Sequence, residues 1–271
     1  MSPEKVHLTE EKATLLATLY GRALDARSPH PILGDQLAAQ ALDRIDHDFR
    51  KTGINPGTAR AVALRARFID RWAAEFLDAH PEATVLHLGC GLDTRVHRMD
   101  PPPTVHWYDV DYPEVIELRR RLFPERPGYD LIGTSVTDLG WLEQVPGDAP
   151  VLVVAEGLFY YLDEVEGPAL VRAIVDRFPG GEFAFDALNP LGLRLQRLNK
   201  PVQKAGATMH WSIDGPAALP AVHPGLHCLA AVSAFDIDGF DRLSASHRMV
   251  AAIVKLLPAM RRTAVLYRLR F

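Results

Sequence analysis

The chain has 271 residues, 48% of them apolar, enough for one large α/β domain or two small ones with a full-sized core. Its formal charge of −4 at pH 7 is too mild to argue for a nucleic-acid or membrane surface, and two cysteines are too few for a disulfide framework or a thiolate zinc site. The opening "MSPEKVHLTEEKATLL" has no apolar run long enough for a signal peptide or a membrane span, so a cytoplasmic protein in a reducing compartment is expected.

Residues 8–27, "LTEEKATLLATLYGRALDAR", put Leu8, Leu15, Leu16, Leu19 and Leu24 at helical spacing, with Thr9 as an N-cap ahead of two glutamates. Residues 33–45 repeat the pattern. Residues 55–80 make a third predicted helix, capped near Pro56 and stopped by Pro81. Residues 1–80 therefore read as a helical cap without a complete core of its own. From residue 84 the period changes. Short β runs at 84–89, 104–111, 129–135, 150–162 and 181–188 alternate with helical segments at 92–99, 113–123, 138–145 and 164–178. Near-continuous apolar strands separated by helices predict an α/β, doubly wound, mostly parallel sheet covered on both faces. This is the ligand-binding core, 84–189. Residues 190–220 read as a helical lid insertion, and 221–271 as the final strands and a helix, all within one domain.

The stretch "TVLHLGCGLDTR", residues 84–95, is a buried strand running into a glycine turn. In a doubly wound sheet that turn is the usual ligand site. A dinucleotide site wants G-x-G-x-x-G, but here Gly89 and Gly91 are followed by Thr94, and Asp93 would face an arriving phosphate. Asp111, 20 residues beyond Gly91, ends the next strand, where an acid can accept two hydrogen bonds from a ribose diol. Asp109 shares its face of the strand. A ribose acid without a phosphate-adapted turn points to S-adenosylmethionine, against the plainer alternative of an ordinary strand–helix turn with solvated acids.

"HLGCGLDTR", "YDVDYPEVIELRR", "LIGTSVTDLGWL" and "VVAEGLFYYL" together resemble the leucine carboxyl methyltransferase family, and most nearly its bacterial branch of polyketide O-methyltransferases. The resemblance spans nearly the whole chain, including "RARFID" and the terminal "RLRF". It implies a class I S-adenosylmethionine-dependent methyltransferase with a Rossmann-like, seven-stranded sheet whose last strand is antiparallel. It also implies roles for positions. Arg67 would hold the methionine carboxylate, as a guanidinium fork suits. Gly89 and Gly91 would bracket the cofactor, Asp111 would hold the ribose, and Ser135 and Val136 would touch the adenine. Glu156 would lie near the cofactor's amino group. Arg27, with Arg22 as its rival, would help close the site. Plainer readings stand beside these: Arg65 and Arg67 as a wet helix face, Glu156 as an edge acid paired with a lysine, and Asp93 with Arg95 as a local ion pair.

The resemblance implies methyl transfer to a small, aromatic or polyketide-derived acceptor. A carboxylate is already ionised at pH 7, whereas a phenol benefits from a base. His210, beside Trp211, is the candidate base, or else a loop histidine. Tyr160 and Tyr161 either line the pocket or sit in the core. The sequence offers no convincing metal-ligand set. A non-methylating accessory or cyclase protein of the same fold, and a protein C-terminal carboxyl methyltransferase, remain as alternatives. Neither nucleic acid nor membrane is expected as a partner, and assembly into a homo-oligomer stays open.

Overall fold

The computed structural model describes residues 4–5, 13–239 and 245–271. Three helices come first: α1 (Thr14–Ala26), α2 (Gln36–Asp43) and α3 (Pro56–Ala79). The expected cap Thr9, with Leu8, lies outside the described residues. Asp35 caps α2 by accepting the Ala38 N–H at 3.0 Å. Asn55 caps α3 by accepting the N–H groups of Gly57 (2.9 Å) and Thr58 (3.0 Å), and Pro56 fills a first-turn position that needs no donor. So anchored, α3 runs for 24 residues.

Beyond α3 lie β1 (Thr84–Leu88), α4 (Arg95–Met99), β2 (His106–Asp111), α5 (Pro113–Leu122), β3 (Tyr129–Gly133), β4 (Val151–Ala155), α6 (Glu166–Arg177) and β5 (Gly181–Leu188). The segment predicted as helical at 138–145 is a 3-10 helix, Leu139–Gln144. Three short helices follow β5: α7 (Pro190–Arg194), α8 (Lys200–Ala205) and α9 (Leu219–Val222). The chain closes with β6 (His227–Ser233), α10 (Ala245–Lys255), α11 (Pro258–Arg261) and β7 (Ala264–Arg270).

These seven strands form one sheet in the order β3-β2-β1-β4-β5-β7-β6, and among the described residues Glu4–Lys5 pairs with Ile45–Asp46 in a separate two-stranded sheet. Pairs among β1 to β5 are parallel, and β7 runs antiparallel to both β5 and β6. The sheet grows outward from β1 in one direction through β2 and β3, then in the other through β4 and β5. That reversal leaves a crevice at the carboxyl ends of β1 and β4, the place such sheets bind ligands.

Strand alternation divides the core. Leu86, Leu88, Val110, Val153, Phe183 and Phe185 face one side, packed against Leu170 and Ile174 of α6 and against Trp211. Val85, Trp107, Leu152, Val154, Ala184 and Leu266 face the other, under Ile69, Trp72 and Phe76 of α3. A third cluster joins Leu15 and Leu19 of α1 and Leu42 of α2 to Val115 and Leu118 of α5. α1 and α2 thus bury apolar residues against α5, whereas α3 packs on the sheet itself. Among the described residues no helix is long and apolar enough to cross a membrane.

Candidate active site

A cavity of about 470 Å³ opens at the carboxyl ends of β1, β2, β4 and β5. Further wall comes from α1, α3, the segment that contributes Asn199, Val202 and Met209, the stretch with Ala234, Phe235 and Ile237, and the start of β7. The glycine turn forms its floor. Gly89 and Gly91 have φ of +58° and +49°, a region L side chains rarely adopt. A Cβ at Gly89 would meet Leu158 Cδ1 at 2.8 Å, and one at Gly91 would meet Leu15 Cβ at 3.1 Å. Both positions therefore need glycine, for the turn itself and for the close approach of its neighbours.

Asp111 ties this turn to β2. One carboxylate oxygen accepts the Gly91 N–H at 2.7 Å, and the other accepts the Tyr112 N–H at 2.8 Å. Burial raises its carboxyl above the ordinary value, the two backbone donors opposing only part of that rise. Asp109 shares the face, as expected, but lies beneath the turn rather than at the cavity. It accepts from Trp107 Nε1 (2.9 Å), Tyr129 (2.6 Å) and Arg119, and contacts His87 Nδ1 at 2.9 Å. Burial opposes its ionisation, yet Arg119 and His87 bring it down to about 2. Since Arg95 Nη1 can only donate, the His87 Nε2 it meets at 3.2 Å is the acceptor. His87 Nδ1 is then the donor to Asp109.

Part of the remaining wall is ionic. Glu156 directly follows β4 and accepts from Arg65 Nε at 3.0 Å and from Arg95 Nη2. Burial works against its charge, but the two arginines hold its carboxyl below the ordinary value. Glu156 is thus paired, but with arginines rather than the lysine considered from sequence. Asp93 and Arg95 do come within 3.5 Å, inside a larger cluster with Arg22, Asp70 and Arg98. Asp186, at the end of β5, accepts from Arg65 Nη1 at 2.9 Å and from the Gly157 N–H at 2.6 Å.

Several expected residues lie elsewhere. Arg67 is exposed and does not line the cavity; Arg65 does. Two residues turn a helix by roughly 200°, so the arginines of "RARFID" cannot share a face. Arg27 sits at the end of α1, pairing with Asp43 at 2.6 Å and donating to the Ala39 carbonyl. Its rival Arg22 is buried and lines the cavity, and its Nε has no hydrogen-bond partner. Val136 lines the cavity, whereas Ser135 does not, its Oγ being 3.0 Å from Thr137 Oγ1. His210 is exposed and outside the cavity. Its neighbours Met209 and Trp211 are buried, so along this extended segment alternation turns His210 outward. Tyr160 and Tyr161 both line the cavity, and Tyr160 places its hydroxyl 3.4 Å from Arg65 Nη1.

Sequence reasoning passed over Asp186. Its signal was present: an acid at the carboxyl end of the apolar strand "FAFDAL", where a doubly wound sheet collects ligand-facing groups. This donor set fits S-adenosylmethionine. Arg22, whose Nε lies 3.8 Å from Asp35, a guanidinium at Arg65 and acids at Asp111 and Glu156 can meet a zwitterion and a ribose, over a turn whose Gly89 and Gly91 admit no side chain.

A family model described as leucine carboxyl methyltransferase matches residues 15–175. The chain is 45% identical over 258 residues to the tetracenomycin polyketide synthesis O-methyltransferase TcmP of Streptomyces glaucescens, covering 95% of this chain and 96% of that one. It is 38% identical over 243 residues to the S-adenosyl-L-methionine-dependent methyltransferase dpfgK of Gibberella zeae, covering 82% of each. Among solved structures, the N-methyltransferase NodS of Bradyrhizobium japonicum, in complex with S-adenosyl-L-homocysteine, aligns with a TM-score of 0.50 at 14% identity. That alignment covers 87% of this chain and 96% of NodS, and at such identity it is a likeness of fold.

Proposed function

Because this chain belongs to the leucine carboxyl methyltransferase family and is an S-adenosylmethionine-dependent methyltransferase, we propose that it methylates a carboxylate oxygen of a small, polyketide-like acceptor. The observation that carries this reading is the absence of a spare base at the cavity among the described residues. The one histidine lining it, His87, has both ring nitrogens engaged. Asp93, Glu156 and Asp186 are paired with arginines, and Asp111 is held by two backbone N–H groups. Burial, chiefly, pushes the Tyr160 hydroxyl well above its usual value, so it does not ionise near neutrality. This arrangement favours an acceptor oxygen that arrives already ionised. A carboxylate does so at pH 7 and a phenol does not.

Charge at the entrance supports the same reading. Residues 190–213 include Arg194, Arg197, Lys200 and Lys204, all exposed, and no acidic residue. Asn199, Pro201 and Val202 of the same stretch line the cavity. A basic segment on a chain of net negative charge draws in an anionic acceptor. The polyketide character comes from TcmP and from the apolar lining given by Ile54, Val62, Leu188 and Met209.

When bound, S-adenosylmethionine supplies a methyl group on a sulfonium sulfur. Asp111 would accept hydrogen bonds from the ribose hydroxyls, and Val136 would pack beside the adenine. Arg65, in place of Arg67, would face the methionine carboxylate, with Glu156 near the amino group, and Arg22, in place of Arg27, would help close the site. Tyr160 and Tyr161 would wall off the acceptor and exclude water from the methyl transfer.

The test uses cofactor labelled in the methyl group and a matched pair of acceptors, an aromatic carboxylic acid and the corresponding phenol. Label should enter the acid and be released as methanol on base hydrolysis. A base-stable ether on the phenol, with the acid untouched, would reverse the assignment.

A further inference from the structure

Arg65 is held from two sides. Its Nε donates to Glu156 at 3.0 Å, and its Nη1 donates to Asp186 at 2.9 Å. Its side chain keeps 22% exposure, and the residue lines the cavity. Asp186 in turn uses its other oxygen to accept the Gly157 N–H at 2.6 Å. Gly157 directly follows Glu156, and its φ of +74° makes the bend that carries the chain off β4. One carboxylate thus fixes both the arginine and the turn that presents Glu156. The parallel register explains how. Ala155 of β4 pairs with Phe185 of β5, so Glu156 and Asp186 are neighbours one step beyond the pair. Two buried acids at adjacent strand ends repel each other, and the Arg65 guanidinium lies between them.

We propose that Asp186 is a positioning residue for the amino-acid end of the cofactor: it aims Arg65 at the carboxylate and holds Glu156 beside the amino group. The inference rests on the reading of Arg65 given above. It differs from a merely structural role in a definite way. Loss of the Asp186 charge frees one side of the guanidinium fork, which then swings toward Glu156 and no longer presents a fixed pair of donors. The purine and ribose end of the site, built from Asp111, Gly89 and Val136, makes no contact with Asp186 and is left intact. Affinity should fall for ligands that carry the amino acid and hold for those that lack it.

The measurement is calorimetric binding of S-adenosylhomocysteine and of 5′-methylthioadenosine, which shares the nucleoside and thioether but has neither carboxylate nor amine. Asp186→Asn keeps a carbonyl for the Gly157 N–H and removes the charge. It should weaken S-adenosylhomocysteine by about tenfold, the lower end for loss of a group that orients a binding residue. Methylthioadenosine binding should stay within about twofold. Asp186→Ser removes the same charge with a smaller side chain and serves if the asparagine variant does not fold. Equal weakening of both ligands, or of neither, overturns the proposal. Arg65→Met separates the two layers of the argument. If it loses the preference for S-adenosylhomocysteine while Asp186→Asn and Asp186→Ser keep it, Arg65 binds the carboxylate unaided and the positioning role is wrong. If Arg65→Met also keeps the preference, the Arg65 reading itself fails and takes the proposal with it.

Discussion

Asp111 shows how one side chain does two jobs at this site. Its oxygens hold the Gly91 and Tyr112 N–H groups, and the same carboxylate faces the cavity. Asp111→Asn leaves one carbonyl oxygen for two backbone donors and removes the charge that ribose hydroxyls would meet. We expect a loss of about 2 kcal/mol in cofactor binding, roughly thirtyfold in Kd. Isothermal titration with S-adenosylhomocysteine reads this directly, and an unchanged Kd would remove Asp111 from the ribose site. Gly89, Gly91 and Asp111 were legible in the sequence because each depends on its own strand and turn. Gly91 and Asp111 are 20 residues apart, and the β1–β2 register brings them together. Asp186 was not legible in this way, since its partners come from α3 and from the β4 turn.

Periodicity decides which of two similar residues reaches the site. On α3, Arg65 faces the cavity and Arg67 faces water, so Arg67→Ala should leave S-adenosylhomocysteine affinity within about twofold, whereas Arg65→Met should not. The extended stretch around Met209 follows the strand period instead. His210→Ala should retain methyl transfer, because the side chain points away from the cavity while its backbone N–H donates to the Tyr160 carbonyl at 2.7 Å. A large fall in turnover for His210→Ala, measured with saturating cofactor, would reinstate it as a base. The motif "RARFID" marked the correct helix, and its helical period was plain, but the phase of that helix against the sheet was not. The phase depends on how Ile69, Trp72 and Phe76 seat against Val85 and Val154.

Buried charge ties the site to the stability of the whole chain. Asp109 is fully buried among Arg119, His87, Tyr129 and Trp107, and its carboxyl is brought down to about 2. A carboxyl lower in the folded than in the unfolded state contributes stability above its unfolded value, near 4, and loses it as the pH falls through the folded value. The contribution is on the order of 2 kcal/mol at pH 7. Asp70, Asp93 and Glu156 are also held low, so acid should unfold the protein through the same cluster. Asp111 and Asp186 are raised and carry the opposite sign, giving stability at low pH that is lost as they ionise. Urea melts of Asp109→Asn should show a large deficit at pH 7 that narrows from pH 4 toward pH 2. A deficit independent of pH would mean that Asp109 acts by packing alone.

The sequence by itself determined the sheet, its helical preface, the glycine turn and the acid that ends β2, because periodicity and turn chemistry are local. It also carried enough motif order to indicate the family. Only the tertiary structure decided which arginine, Arg65 or Arg67, and which basic residue of α1, Arg22 or Arg27, reaches the cavity, and that His210 does not. Those outcomes depend on the rotation of each element about its own axis, which packing against the sheet sets. The same packing brings Glu156, Asp186 and Arg65 together from two strands and a helix, a grouping that no single stretch of the chain contains.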